Sequence, residues 1–543
     1  MKELGRDTAQ FIIDEERFVE ALDVPGGFTS AEAFGFMLTR NVPPAGTFGD
    51  FRYGRMFRQP KLPSYRPARE GLIELGLDMR ERTNPGSNPS LPAGYVYLGQ
   101  FIDHDLSSHT KTHQTPTALG DPEDEVSLRS PALDLDSLYG YDPAALKQSA
   151  LGRKIYEDDG IRLRVGQTRE DKAGEVSNGF PNDLPREGDP QKREAAAIVD
   201  PRNDENLAVA QTHLSFIKFH NAMVERLSGT FSGEALFEAA REEVVRYYQW
   251  LILCDYLPKV IEPDVLKDVI EQGCRHLVFD EGEQPFVPFE FAMAAFRFGH
   301  SLIKPTYQWN GVFQSKPHGV SAAALLDLFV FTGSGQQALF NRVRLPNSWI
   351  IDWTRFYNFD GFPDVVTNVR SNQARKITPS LVAAMTKLPP FKQGEEEIMG
   401  SLPMRNLLRG RTLGVPSGQR IAEERLNVTA LTPDEVKAGE EANRREILER
   451  WGFDRETPLW YYILKEAEHH HRGDRLGPVA SRIVAETFVA LIKQSRVSIL
   501  PRDEPGVPVW SPDLGREAGK FFMPDLLYFV HRVFGNHLNP LGI

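Results

Sequence analysis

Tyr97-Leu98-Gly99-Gln100-Phe101-Ile102-Asp103-His104-Asp105-Leu106 sets an amide, an imidazole and two carboxylates into an otherwise apolar run. Few cores tolerate that. On a helix Gln100 and His104 share a face at i and i+4, while Asp103 and Asp105 point roughly 100° to either side of the histidine. Such a turn can present an acid/base on one surface and a cation ligand on another.

Working outward, apolar residues recur at the helical period over 206–227, 234–261, 288–303, 432–451 and 477–495. The spacing predicts a mainly α fold with few short strands. Thr432-Pro433-Asp434-Glu435 reads as a capped helix start, and Pro305 as a stop for the segment bearing His300. Residues 40–95 are rich in Pro, Gly and Arg, which predicts an extended arm with sparse regular structure. The polar stretch 155–200 is expected to be loop with a short hairpin, and His469-His470-His471 a solvated loop ahead of the helix at 477. No repeat or long linker divides the chain. The expectation is an arm over 1–95 packed on a single large helical domain over 96–543.

With 543 residues, 41% hydrophobic, the chain can bury a large core. A net charge of -12 and a pI near 5.7 give no general attraction to nucleic acid or anionic membrane. Cys254 and Cys274 are too few for a disulfide framework. The N-terminal residues are acidic where a signal peptide would be apolar, and no stretch approaches the ~18 apolar residues of a membrane span. A soluble protein is expected, cytoplasmic or exported by a non-classical route.

Three further segments carry chemistry. Asp200-Pro201-Arg202-Asn203-Asp204-Glu205-Asn206 leads straight into an apolar helix, so Arg202 and Glu205 lie at its N-terminus. The bland reading is a solvated arginine and a glutamate complementing the helix dipole. In Ala295-Phe296-Arg297-Phe298-Gly299-His300 a glycine precedes a histidine inside an apolar run, at a cost of about 1 kcal/mol relative to alanine. A metal or flat cofactor beside His300 would explain the missing side chain. Asn406-Leu407-Leu408-Arg409-Gly410-Arg411 places an amide and a guanidinium at i and i+3.

In this order the four segments resemble the signatures of the animal-type haem peroxidases of the peroxidase–cyclooxygenase superfamily. Gln100 to Asp105 resembles the distal helix, Arg202 to Glu205 the catalytic-arginine segment, Ala295 to His300 the proximal segment, and Asn406 to Arg411 its support. Ser130-Pro131-Ala132-Leu133-Asp134-Leu135-Asp136 resembles the family's calcium loop. The likeness runs from about residue 90 to about 500.

The resemblance implies that His300 ligates haem iron, with its Nδ1–H held by the Asn406 amide oxygen. It casts His104 as the group that takes a proton from hydrogen peroxide and returns it to the leaving oxygen. Arg202 would stabilise developing negative charge, and Gln100 would position water or a small anion. Arg297 and Arg409 match partners of the haem propionates. Asp103 and Glu205 match carboxylates that form ester bonds to haem in mammalian members, whereas Asn206 stands where some of these carry a methionine linked to a vinyl group, which excludes a sulfonium bond. Asp105, Ser130, the Ala132 carbonyl, Asp134 and Asp136 would hold Ca²⁺. The family usually carries a hydroxyl at the position of Asp136.

The implied activity is peroxide-dependent oxidation of small organic donors or halide and pseudohalide anions. Two alternatives compete with it. A fatty-acid oxygenase of the same superfamily would need a tyrosine where this chain has Arg297. A non-enzymatic protein used for calcium-dependent binding or adhesion would need none of Gln100, His104, Arg202, His300 and Asn406. A zinc site from His104, His109 and His113 is disfavoured, because the spacing does not hold one helical face.

Overall fold

The structure is a computed structural model that describes residues 11–14, 17–19, 49, 51–58, 61–108, 126–169, 179–186, 195–315, 321–333, 344–366, 371–386, 388 and 400–542. His109 and His113 lie outside the described residues.

The centre of the molecule is a helix that cannot face water. In α3 (Leu207–Leu227) each residue from Leu207 to Val224 is buried, and α2 (Gly94–Leu106), α4 (Gly233–Trp250) and α8 (Met523–Phe534) pack around it. A helix buried on all sides must satisfy its polar side chains internally. Gln211, for example, donates to the Asn182 carbonyl, and Asn221 donates to and accepts from the backbone of Leu163. These three bonds hold Leu163 and Asn182 against α3. A bridge between Tyr156 and Leu163 supplies the short hairpin-like pairing expected over 155–200.

Strands are few and peripheral. β1 (Phe51–Gly54) pairs antiparallel with β3 (Val126–Ser127) and parallel with β4 (Val287–Pro288), and β2 (Ser87–Pro92) pairs antiparallel with β5 (Gln373–Arg375). The mainly α expectation holds. No helix among the described residues is long and apolar enough to cross a membrane.

Four local expectations are corrected. The 40–95 region holds a ten-residue helix, α1 (Arg69–Asp78), whose Leu72 and Leu75 are fully buried and which packs on α5 (Leu402–Thr412). The arm therefore braces the segment that carries Asn406. The 288–303 segment is not one α-helix: a turn over Phe289–Ala292 gives way to a 3₁₀ stretch over Ala295–Leu302. The Ala292 carbonyl, freed by that break, is taken by Arg297 Nε at 2.6 Å. The 432–451 segment splits into Pro433–Lys437 and Ala442–Arg450, with Gly439 at φ 75° between them. His469 to His471 form the last turn of α6 (Leu459–His471), and His471 Nε2 lies 2.8 Å from Glu262.

The capped start at Thr432 forms as expected, with reciprocal bonds between Thr432 and Glu435. α7 (Pro478–Gln494) also matches its expected span.

Candidate active site

α2 carries Gln100, Asp103, His104 and Asp105, and packs against both α3 and the 295–302 stretch, so its polar turn lies between the segments bearing Arg202 and His300. The approach is close. At the end of α4 a π-helical turn over Leu251–Tyr256 sets the Tyr256 hydroxyl where a Cβ on Gly99 would come within 2.4 Å of it. A side chain at position 99 would displace that phenol.

The 200–206 segment supplies a partner for each of three candidate residues. Its local form follows from two caps: Asp200 accepts from the Arg202 amide at the start of a 3₁₀ turn over Pro201–Asp204, and Asn206 accepts from the Val209 amide at the start of α3. His104 Nδ1 lies 2.8 Å from Asn203 Oδ1, and Asn203 Nδ2 lies 2.9 Å from His213 Nδ1. With an amide oxygen facing it, His104 carries its proton on Nδ1 and keeps the Nε2 lone pair. Burial, then the nearby Arg202 guanidinium, pushes the His104 pKa down to about 3, so the ring is neutral.

Arg202 is clamped. Its Nε donates to Asp200 Oδ1 at 3.0 Å and its Nη2 to Asp200 Oδ2 at 2.7 Å, with further bonds from Nη2 to the carbonyls of His104 (2.9 Å) and Ser107 (2.6 Å). Asp200 also accepts from Arg129, so one buried carboxylate bridges two buried guanidiniums. Burial alone would raise the Asp200 pKa, but the two arginines hold it far below the ordinary carboxylate range. Arg202 Nη1 is buried with no hydrogen-bond partner among the described residues. Asn206 Nδ2 donates to Gln100 Oε1 at 2.8 Å.

Asn203, His213, Asp200 and Arg129 were not singled out from the sequence, and Asn206 was read there only as the residue that excludes a sulfonium bond. Asp200 and Asn206 are visible there as helix caps, but nothing local marks their second partners.

On the other side, His300 Nδ1 lies 3.0 Å from Asn406 Nδ2, while Asn406 Oδ1 accepts from Arg297 Nη1 at 2.9 Å. This reverses the expected amide. A guanidinium can only donate, so it claims the oxygen and leaves the NH₂ end for the histidine. Arg297 is buried, and Arg409 is buried on α5 one turn beyond Asn406. A Cβ built on Gly299 meets no heavy atom within 4 Å, so the glycine leaves open space beside His300. That space, an imidazole backed by an amide, and the unpartnered Arg202 Nη1 fit a flat iron-bearing cofactor.

Asp103 is half-buried and Glu205 buried, and both carboxylates act to raise the Arg202 pKa. They therefore lie within electrostatic reach of the same cation.

Asp105 accepts from the amides of Leu135 (3.2 Å) and Ser137 (2.9 Å), which ties α2 to the 130–137 loop. Asp136 accepts from the Ser130 amide at 3.0 Å, and Asp134 from the Arg496 amide at 3.0 Å. Burial and then the Asp136 carboxylate push Asp105 up to about 7 and Asp134 up to about 6. The Ser130 hydroxyl is buried without a hydrogen-bond partner among the described residues. Among the described residues no three His, Cys, Asp or Glu side chains converge tightly enough to hold a metal ion, because these carboxylates turn to backbone amides.

The animal haem peroxidase family matches residues 109–496, with the α2 turn just ahead of that match. Peroxidasin of Drosophila melanogaster is 23% identical over 401 residues, 72% of this chain and 24% of its own length. Thyroid peroxidase of Sus scrofa is 29% identical over 209 residues, 36% of this chain and 22% of its own. The chain spans about a quarter or less of the length of these relatives. Among solved structures, peroxidase A of Dictyostelium discoideum aligns with a TM-score of 0.53 at 16% identity, over 81% of this chain and 86% of that one. A fatty acid alpha-dioxygenase variant of Oryza sativa with palmitic acid gives 0.53 at 13% identity, over 82% and 75%. These two establish likeness of fold.

Proposed function

The chain belongs to the animal haem peroxidase family, and from that membership we propose that it is a haem-dependent peroxidase, reducing hydrogen peroxide and oxidising small organic donors or halide-like anions. Haem, when bound, supplies the electrons and the oxidising power. The chain's own residues hold it, move one proton and balance charge.

His104 would take a proton from one peroxide oxygen at its Nε2 lone pair and return it to the other, which leaves as water. The Nδ1–H bond to Asn203 supports this role, since it keeps the ring in the tautomer whose outer nitrogen is a base. Arg202 turns its unpartnered Nη1 to the negative charge that develops as the O–O bond stretches. Asp200 pins that cation in place. Gln100 orients water or a small anion beside His104.

His300 would hold the iron, with Asn406 at its Nδ1 as the supporting amide, and Arg409, with Arg297 as a second, would pair with the propionates. Asp103 and Glu205 are the candidates for ester bonds to the cofactor. Asp105, Ser130, the Ala132 carbonyl, Asp134 and Asp136 form the candidate calcium set, supported by the partnerless Ser130 hydroxyl and the bonds from Asp105 into the loop.

The observation that carries the reading is a neutral imidazole whose backbone carbonyl is bound by a buried guanidinium with one donor to spare. A protein used only for adhesion needs neither group. For an oxygenase, the phenol position is filled by Arg297, which is engaged with Ala292 and Asn406. An absorption spectrum of the haem-reconstituted protein, before and after peroxide, tests the proposal. A Soret band that shifts on peroxide and returns when a small aromatic donor is added is expected. No Soret band, or one indifferent to peroxide, overturns it.

A further inference from the structure

We propose that Asn206 is a positioning residue that fixes which end of the Gln100 amide is presented beside His104, making Gln100 a hydrogen-bond donor to anionic ligands. The inference rests on the haem peroxidase reading above and adds a determinant of ligand choice to it.

The argument is donor and acceptor bookkeeping along three groups. The Val209 backbone N–H can only donate, and it bonds Asn206 Oδ1 at 3.0 Å in the helix-cap position. The Asn206 oxygen is therefore committed, and Nδ2 is the end that meets Gln100. Nδ2 can only donate, so the Gln100 atom 2.8 Å away is its oxygen. That commits the second amide in turn. Turning Gln100 over would set two NH₂ groups head to head.

What remains of Gln100 is Nε2, with no protein acceptor among the described residues. Gln100 sits one turn before His104 on the same face of α2. Arg202 Nη1, buried and partnerless, is a second N–H donor of the same neighbourhood. Two fixed N–H donors favour a ligand that accepts, such as a halide or a halide-like anion. The opposite amide orientation would offer such a ligand a carbonyl oxygen.

Asn206→Asp separates this role from helix capping. The carboxylate still accepts the Val209 N–H, but its other oxygen now demands a donor, so Gln100 must turn its Nε2 away. The probe is fluoride, a pure acceptor, titrated against the ferric haem-loaded protein by visible absorption, with carbon monoxide binding to the ferrous form as an uncharged control. Loss of one hydrogen bond to a charged ligand predicts fluoride affinity weakened about tenfold or more. Carbon monoxide affinity and melting temperature should stay near wild type.

Asn206→Ser keeps a cap but cannot reach Gln100 and adds no charge, so a several-fold loss is expected there. In a Gln100→Ala background either change should have little effect on fluoride. If Asn206→Asp weakens fluoride equally in that background, added charge is the cause and the proposal is wrong. Unchanged fluoride affinity in both variants also overturns it. A protein with no Soret band at all defeats the haem reading instead.

Discussion

Arg297 holds the oxygen of the Asn406 amide and thereby turns its NH₂ towards His300. In this state His300 Nδ1 accepts, so the ring proton resides on Nε2, the nitrogen proposed to meet iron. Ligation by a neutral ring requires the amide to turn over and Arg297 to find another acceptor, and a haem propionate is of the right charge. Asn406→Asp removes the need, because a carboxylate accepts from Arg297 and from His300 Nδ1–H together. A more electron-rich imidazole follows. The ferric/ferrous potential of this variant should lie below that of wild type in a redox titration, and His300→Ala should abolish the Soret band. An unchanged potential would separate Asn406 from the iron ligand.

His104→Ala should slow the reaction with peroxide by ~10²–10⁴-fold, as expected for lost acid/base catalysis, with haem retained. Arg202→Ala should cost about 10²- to 10³-fold, as for loss of one charge-stabilising donor. Asp200→Asn acts differently, since it leaves Arg129 and Arg202 buried without their shared anion. Its expected signature is a stability loss of about 3–5 kcal/mol in urea unfolding. Stopped-flow rates at wild-type level in both alanine variants would remove the distal assignment.

Glu466 should contribute a fall in stability as pH rises through neutrality. Glu466 is fully buried, and although it accepts from the amides of Val479 and Ala480 at the start of α7, burial pushes its pKa up to about 8. The folded state thus holds this proton more tightly than the unfolded chain. That contribution is complete below the ordinary value of 4.5 and disappears as pH climbs to about 8. The shift corresponds to roughly 5 kcal/mol. The stability that wild type holds over Glu466→Gln should decline in melting curves taken from pH 5 to 9. A slope unaffected by the substitution would assign the pH dependence to other groups.

The helical class and most long helices were legible because a 3.6-residue apolar period needs no knowledge of the partner surface. Gln100, His104, Arg202 and His300 were legible because polar residues stand out within apolar runs. Their partners were not. His104 meets Asn203 across 99 positions, and Arg129 meets Asp200 across 71, so only tertiary packing creates these pairs. The break near Ala292 depends likewise on a guanidinium capping a carbonyl five residues back. The orientation of Asn406 was misread for the same reason: its competing partner, Arg297, lies 109 residues away.

Calcium removal should be felt at the haem. Asp105 already joins α2 to the 130–137 loop through Leu135 and Ser137, one residue from His104. A cation gathering Asp105, Asp134 and Asp136 would tighten that link. Chelation, and Asp134→Ala, should therefore shift the Soret band and slow the peroxide reaction, with readdition of Ca²⁺ restoring the chelated sample only. A metal-free protein with an unchanged spectrum would make the loop an acidic turn held by backbone amides alone.

The remaining carboxylates bear on how the cofactor is retained. Asp103 and Glu205 both act on Arg202 electrostatically, so they flank the same cation from two segments, α2 and the 200–206 turn. We propose these two carboxylates for covalent attachment, since the family resemblance implies ester bonds to haem at both positions. Peroxide turnover should then convert free haem into haem that resists extraction with acidified organic solvent. Intact-mass measurement after peroxide treatment should find the polypeptide heavier by one haem, with a smaller fraction attached in Asp103→Asn or Glu205→Gln and none in the double variant. If all haem extracts freely after turnover, the two carboxylates serve to keep Arg202 charged, and the peroxidase assignment stands without ester bonds.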